Sequence, residues 1–206
     1  MQHTKFSWIV LECPDCGEQY SVFSDPEIPS EKRMLYSDGF FWDPIHWRTP
    51  RIIGCVTCES GFFPEKGKMI ASIPIGEDTG KWTKLKRAEP PKAGNLALEL
   101  RIRKKIEPEN EKNIRIEFWY AVNHSDEGRQ RFDTNERFRN FWLESLEKLE
   151  ALLSAEKSED RLLKAEVNRQ LGRFEDCILL LASETDSRSL AISREAEKKN
   201  RTVFTL

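Results

Sequence analysis

The chain has 206 residues, enough for one large domain or two small ones. Only 38% of them are apolar and 33% are charged, against about 45–50% and about 25% in an average globular protein, so the core is modest and leans on twelve Phe and six Trp. A net charge of −2 excludes a global field for nucleic acid or an anionic membrane, and no run approaches the ~18 apolar residues of a membrane span.

Charge is unevenly shared. Residues 1–80 hold 7 Lys+Arg and 12 Asp+Glu, a net of −5, while the remainder holds 26 and 23, a net of +3. An acidic N-terminal part is a poor binder of phosphates, because that affinity rests on Lys and Arg. The opening residues Met1-Gln2-His3-Thr4-Lys5 and the short apolar run 6–11 lack a signal peptide's long apolar stretch and small-residue cleavage site. A cytoplasmic location is expected, where thiols stay reduced and paired CxxC motifs favour metal over disulfides.

In chain order, residues 6–11 (FSWIVL) predict a strand. Cys13-Pro14-Asp15-Cys16-Gly17 follows at once. Residues 14–64 are rich in Pro, Gly, Asp and aromatics, including Phe40, Phe41, Trp42 and Trp47, and favour turns and short strands. Tyr36-Ser37-Asp38-Gly39 reads as a turn, its Asp-Gly suited to positive φ. Arg51-Ile52-Ile53-Gly54 predicts a strand that delivers Cys55-Val56-Thr57-Cys58, with Phe62-Phe63 covering the apolar side of a metal. Residues 64–94 read as a connector, with one further strand over 70–75 and a domain boundary near residue 80.

The two CxxC pairs carry the chemistry. Thiolate sulfur is soft and suits Zn²⁺, and Cys13, Cys16, Cys55 and Cys58 together close a tetrahedral shell. A redox dithiol is disfavoured, because such a CxxC stands alone before a helix. A catalytic zinc is disfavoured too, since four thiolates leave no open position. The 38 residues between the pairs exceed the usual spacing of roughly 15–20, so the insert needs anchors of its own. Cys177 reads as a small buried hydrophobe. His3, His46 and His124 are not needed as ligands, although His46 lies in an aromatic loop, Trp42 to Trp47, that could form a pocket.

Residues 95–123 fit two readings. Leu96, Leu98, Leu100, Ile102 and Ile114, Ile116, Phe118, Tyr120, Val122 alternate as in a β-hairpin, yet Ile114, Phe118, Ala121 and Val122 also fit a helix. From residue 134 the pattern is helical: Phe138, Phe141, Trp142, Leu146, Leu149, Leu152 and Leu153 share one face, with Thr134 or Asn135 as cap. A second helix is predicted from Ser158 to a stop at Gly172, a third over 174–182 and a fourth over 187–200. Short connections make them antiparallel neighbours.

No catalytic or phosphate-binding motif is present, and no nucleophile–base set points to an enzyme. The densest basic run is Arg101, Arg103, Lys104 and Lys105, with Lys81, Lys84, Lys86 and Arg87 upstream. It offers phosphate contacts, but a solvated surface explains it better, since acidic residues follow at 107–111.

Ala165, Gly172, Phe174 and Cys177, in LKAEVNRQLGRFEDC, are spaced similarly to a tetratricopeptide helix–turn–helix. Taken with the two CxxC pairs and Tyr36-Ser-Asp-Gly39, the chain resembles a group of uncharacterised bacterial proteins with an N-terminal four-cysteine zinc ribbon and tetratricopeptide-like helices. The resemblance implies a helical 95–123 and a structural zinc, and brings no activity with it. The expected fold class is α+β, with a small β zinc ribbon at 1–80 carrying a long insert and a mainly α, helical-hairpin domain at 81–206. The expected function is non-catalytic: a zinc-stabilised adaptor for an unknown protein partner, with nucleic acid as the alternative through 81–105 and no membrane partner.

Overall fold

A computed structural model of the chain describes residues 7–23, 33–42, 49–74, 82, 84–102 and 105–206. The fold mixes helix and strand and divides into two compact units, Met1–Arg33 with Trp42–Lys92, and Met34–Phe41 with Ala93–Leu206. The expected boundary near residue 80 lies outside the described residues, as do the aromatic-loop residues 43–48 with His46.

The first unit is built from short strands. β1 (Ser7–Glu12) and β2 (Gln19–Phe23) form an antiparallel hairpin, closed by the pairing of Glu12 with Gln19. β5 (Ile53–Gly54) and β6 (Gly61–Phe62) form a second hairpin. Met34–Leu35 (β3) and Phe41–Trp42 (β4) pair in a separate small ribbon, of which all but Trp42 is counted with the second unit. β7 (Lys68–Pro74) lies against β1, and β8 (Lys86–Arg87) runs parallel to β2, giving a sheet of order β7-β1-β2-β8. The stretch read as a connector therefore contributes two strands. Leu11, Tyr20, Val22, Ile53, Phe62 and Ala88 enclose Cys13 and Cys55 in one small core.

The second unit holds seven described helices: α1 (Ala93–Ile102), α2 (Pro108–His124), α3 (Asp126–Thr134), α4 (Glu136–Leu152), α5 (Ser158–Leu171), α6 (Phe174–Leu181) and α7 (Ser187–Glu197). Consecutive helices pack on one another, and α2 also meets α4 while α5 meets α7. The β-hairpin reading of 95–123 is overturned. Pro108 opens a helix at a position where its missing N–H costs nothing, rather than turning a hairpin. The alternation arises because α2 is buried on several sides, with Ile114, Ile116, Phe118, Trp119, Tyr120 and Val122 all inside. Asn135 caps α4 as expected, its side chain accepting from the Phe138 amide at 3.0 Å. Asp160, in the first turn of α5, accepts from the Ser154 amide at 3.3 Å and ties down the loop before the helix.

Residues Met34–Phe41 belong with these helices although both flanks belong with the strands. The turn Tyr36 to Phe40 is closed by Tyr36 N–H to Phe40 O at 2.8 Å, with Gly39 at φ +84°. A side chain at Gly39 would collide with Arg188 and Leu163, at 2.9 and 3.1 Å from its Cβ. Asp38, fully buried, accepts from Asn123 at 2.9 Å and from His124 Nε2 at 2.7 Å. The His124 ring stacks on Phe40, with centroids 4.1 Å apart. Phe40 is thus a packing residue of the helical unit. Trp42 remains exposed.

Candidate metal centre

Both CxxC pairs sit at the ends of antiparallel hairpins, the first between β1 and β2 and the second between β5 and β6. Each turn folds back on itself. The Cys13 amide donates to Glu18 O at 2.7 Å, and the Cys55 amide to Ser60 O at 2.8 Å. The residue after each pair adopts positive φ, Gly17 at +78° and Glu59 at +59°. Glycine takes that conformation at no steric cost, whereas Glu59 is held in it by the knuckle.

These turns bring four sulfurs together. Cys13, Cys16, Cys55 and Cys58 place their Sγ atoms within 4.8 Å of one another. Cys13 and Cys58 are 3.8 Å apart and Cys16 and Cys55 3.5 Å. A disulfide needs about 2.05 Å, so these are free thiols. A tetrahedron with metal–sulfur bonds of about 2.3 Å has edges of roughly 3.8 Å, so the sulfurs already stand near the corners of a four-thiolate site. The donor set can hold a metal ion. Cys13 and Cys55 are buried, and Cys16 and Cys58 are exposed.

Hydrogen bonds polarise the cluster. Burial pushes the Cys55 thiol up, but the Tyr20 hydroxyl and the backbone amides of Cys58 and Thr57 hold it down, at about 6. At Cys16 the Glu18 backbone pulls the thiol down, yet desolvation and the Cys55, Cys58 and Cys13 sulfurs push harder, to about 12. Cys55 ionises readily and Cys16 then resists, which is the behaviour of crowded sulfurs that a cation would neutralise. Tyr20 donates to Cys55 Sγ at 3.3 Å and accepts from the Val56 amide at 2.9 Å. The Ser60 hydroxyl lies 3.0 Å from Cys58 Sγ. Phe62 packs near Tyr20 in the same core, with centroids 6.4 Å apart. Neither Tyr20 nor Ser60 carried a sequence signal as a site residue, beyond following its CxxC pair by four positions and two.

The other sequence candidates lie elsewhere. Cys177 is fully buried among Ala165, Leu181, Ile192 and Ala196, and burial pushes its thiol up to about 12. His124 bonds to Asp38 in the helical unit. Of the basic run, Lys86 faces Glu18 at 3.8 Å and Arg101 covers the Phe141 ring at 4.2 Å. Lys81, Arg103 and Lys104 are outside the described side chains. Among the described residues no helix is long and apolar enough to cross a membrane.

No family model, curated protein or solved structure matches the chain.

Proposed function

We propose that the chain is a non-catalytic, zinc-stabilised protein–protein interaction module of the cytoplasm. The single observation behind this reading is the four-cysteine cluster, with sulfur separations of 3.5 and 3.8 Å near the edge of a ZnS₄ tetrahedron. Thiolate ligands select Zn²⁺ over harder divalent ions, and four of them use every coordination position, which suits a structural ion. On this reading the strand unit is a zinc ribbon. A metal in such a site supplies folding free energy, on the order of 10–16 kcal/mol in zinc-finger peptides. That is a large term for a unit whose core is one small cluster.

The helical unit supplies the interaction surface. Its tetratricopeptide-like reading is supported by the α5–α6 hairpin, where Ala165 and Cys177 are fully buried and Phe174 packs beside them. Exposed Leu98, Ile102 and Leu179 leave apolar area on its surface. The nucleic-acid alternative has less support, because Lys86, though exposed, faces Glu18 and Arg101 lies over the Phe141 ring.

Affinity capture from cells under metal-replete conditions tests the proposal. The intact protein is expected to retain a discrete protein set, resistant to nuclease and insensitive to moderate salt. Retention of nucleic acid alone, released by salt, would replace this reading with the alternative.

A further inference from the structure

We infer that the Tyr20 hydroxyl is the positioning group of the metal centre, holding Cys55 Sγ in place by a hydrogen bond and setting how tightly the ion is held. This rests on the metal-binding reading above and adds a residue to it. Four thiolates around a divalent cation leave a net charge of −2 in a part of the chain that is already acidic. Such a site is stable only where hydrogen-bond donors spread that charge.

Tyr20 is built for this. Its side chain is 1% exposed, so the hydroxyl is not shared with water. It donates to Cys55 Sγ at 3.3 Å, while the Val56 amide donates to it at 2.9 Å. An amide donating to a hydroxyl makes that hydroxyl a stronger donor in turn. The chain of bonds runs from the backbone of the second CxxC turn, through the phenol of β2, back to a sulfur of the same turn. It therefore pins the second knuckle to the strand that follows the first. Cys55 is one of the two buried sulfurs.

Tyr20→Phe removes the hydroxyl and keeps the ring that packs near Phe62. Outer-shell donors of this kind are worth about 10–100-fold in metal affinity. The test is competition of wild type and Y20F against a chromophoric chelator for Zn²⁺, with Co²⁺ absorption read in parallel. The expected result is a 10–100-fold weaker site in Y20F, with the sulfur-to-cobalt charge-transfer band displaced to lower energy. The far-UV dichroism of the metal-saturated variant should match wild type. Equal affinity and an unmoved band would overturn the inference while leaving the metal site intact. A wild type that binds neither ion would instead defeat the metal reading itself.

A wild-type measurement covers the case in which Y20F does not fold. In the protein loaded with ¹¹³Cd²⁺, a slowly exchanging Tyr20 hydroxyl proton coupled to the metal through Cys55 supports the inference. A rapidly exchanging, uncoupled hydroxyl proton contradicts it.

Discussion

Ser37 donates a hydrogen bond from Oγ to Oε1 of Glu166 at 2.9 Å, across 129 positions of sequence. Both residues are fully buried. Glu166 is also gripped by Arg169, at 2.8 and 2.6 Å, and by Gln170 at 3.1 Å. Burial pushes the Glu166 carboxyl up, and Arg169, Gln170 and Ser37 oppose that push. Arg169 in turn donates to the carbonyls of Asn200 and Thr202 and lies over the Phe204 ring at 5.1 Å. The turn that interrupts the strand unit is therefore fastened to α5, and α5 to the last residues of the chain.

Removing one member of that network should cost more than its hydrogen bonds. Arg169→Met leaves the Glu166 carboxylate buried without its cation, a loss of about 3–5 kcal/mol. Ser37→Ala removes one bond to a charged group, about 1.5–3 kcal/mol. Urea unfolding followed by the helical signal checks both, and equal, near-zero effects would show the network to be dispensable.

Metal removal should act on one unit alone. Zinc-chelated protein is expected to lose amide protection in β1, β2 and β5–β7 while α4–α7 keep theirs. Residues Met34–Phe41 should stay protected with the helices, although they lie between the two CxxC pairs in sequence. Hydrogen exchange resolved by peptide mass spectrometry reads this directly. Loss of protection over Met34–Phe41 together with the strands would contradict the division of the fold.

The two sides of that result differ in how far the sequence shows them. CxxC spacing is local, so four ligands can be named from eight positions. The helical face from Phe138 to Leu153 and the Asn135 cap are local too, and the helix that follows ends at Gly172 as its sequence implies. The docked turn is not local. Tyr36 to Gly39 announces a turn, but nothing nearby announces Glu166, Asn123 or His124 as its partners. α3 was hidden for a different reason: its sequence DEGRQRFDT buries only Gly128, so no apolar stripe marks it. α2 was ambiguous because burial on several sides erases the helical period.

The second CxxC turn carries a removable strain. Glu59 sits at φ +59° where Gly17 serves the first turn. Glu59→Gly is expected to stabilise the metal-loaded protein by up to ~1 kcal/mol, and Gly17→Ala to destabilise it by about as much. Thermal melts at saturating zinc decide this, and opposite signs for the pair are the prediction.

Acid should loosen α7 through its cap. Asp186 accepts from the Ser189 hydroxyl and from the Ser189 and Arg188 amides, which hold its carboxyl below the ordinary 3.8. A carboxyl depressed in the folded state stabilises the fold above its unfolded value and loses that contribution as pH falls through the folded one. The advantage of wild type over Asp186→Asn should therefore be full above about pH 4 and shrink toward zero below it. Urea titrations at stepped pH give the difference, and one that does not change with pH would remove the charge from the cap.

The most direct measurement is X-ray absorption at the zinc edge on protein purified from zinc-supplied cells, with metal content determined on the same sample. The expected result is one zinc per chain with four sulfur ligands at about 2.3 Å. A zinc with nitrogen or oxygen in its first shell, or protein that holds no stoichiometric metal while Cys13, Cys16, Cys55 and Cys58 remain reduced, would contradict a structural four-thiolate centre.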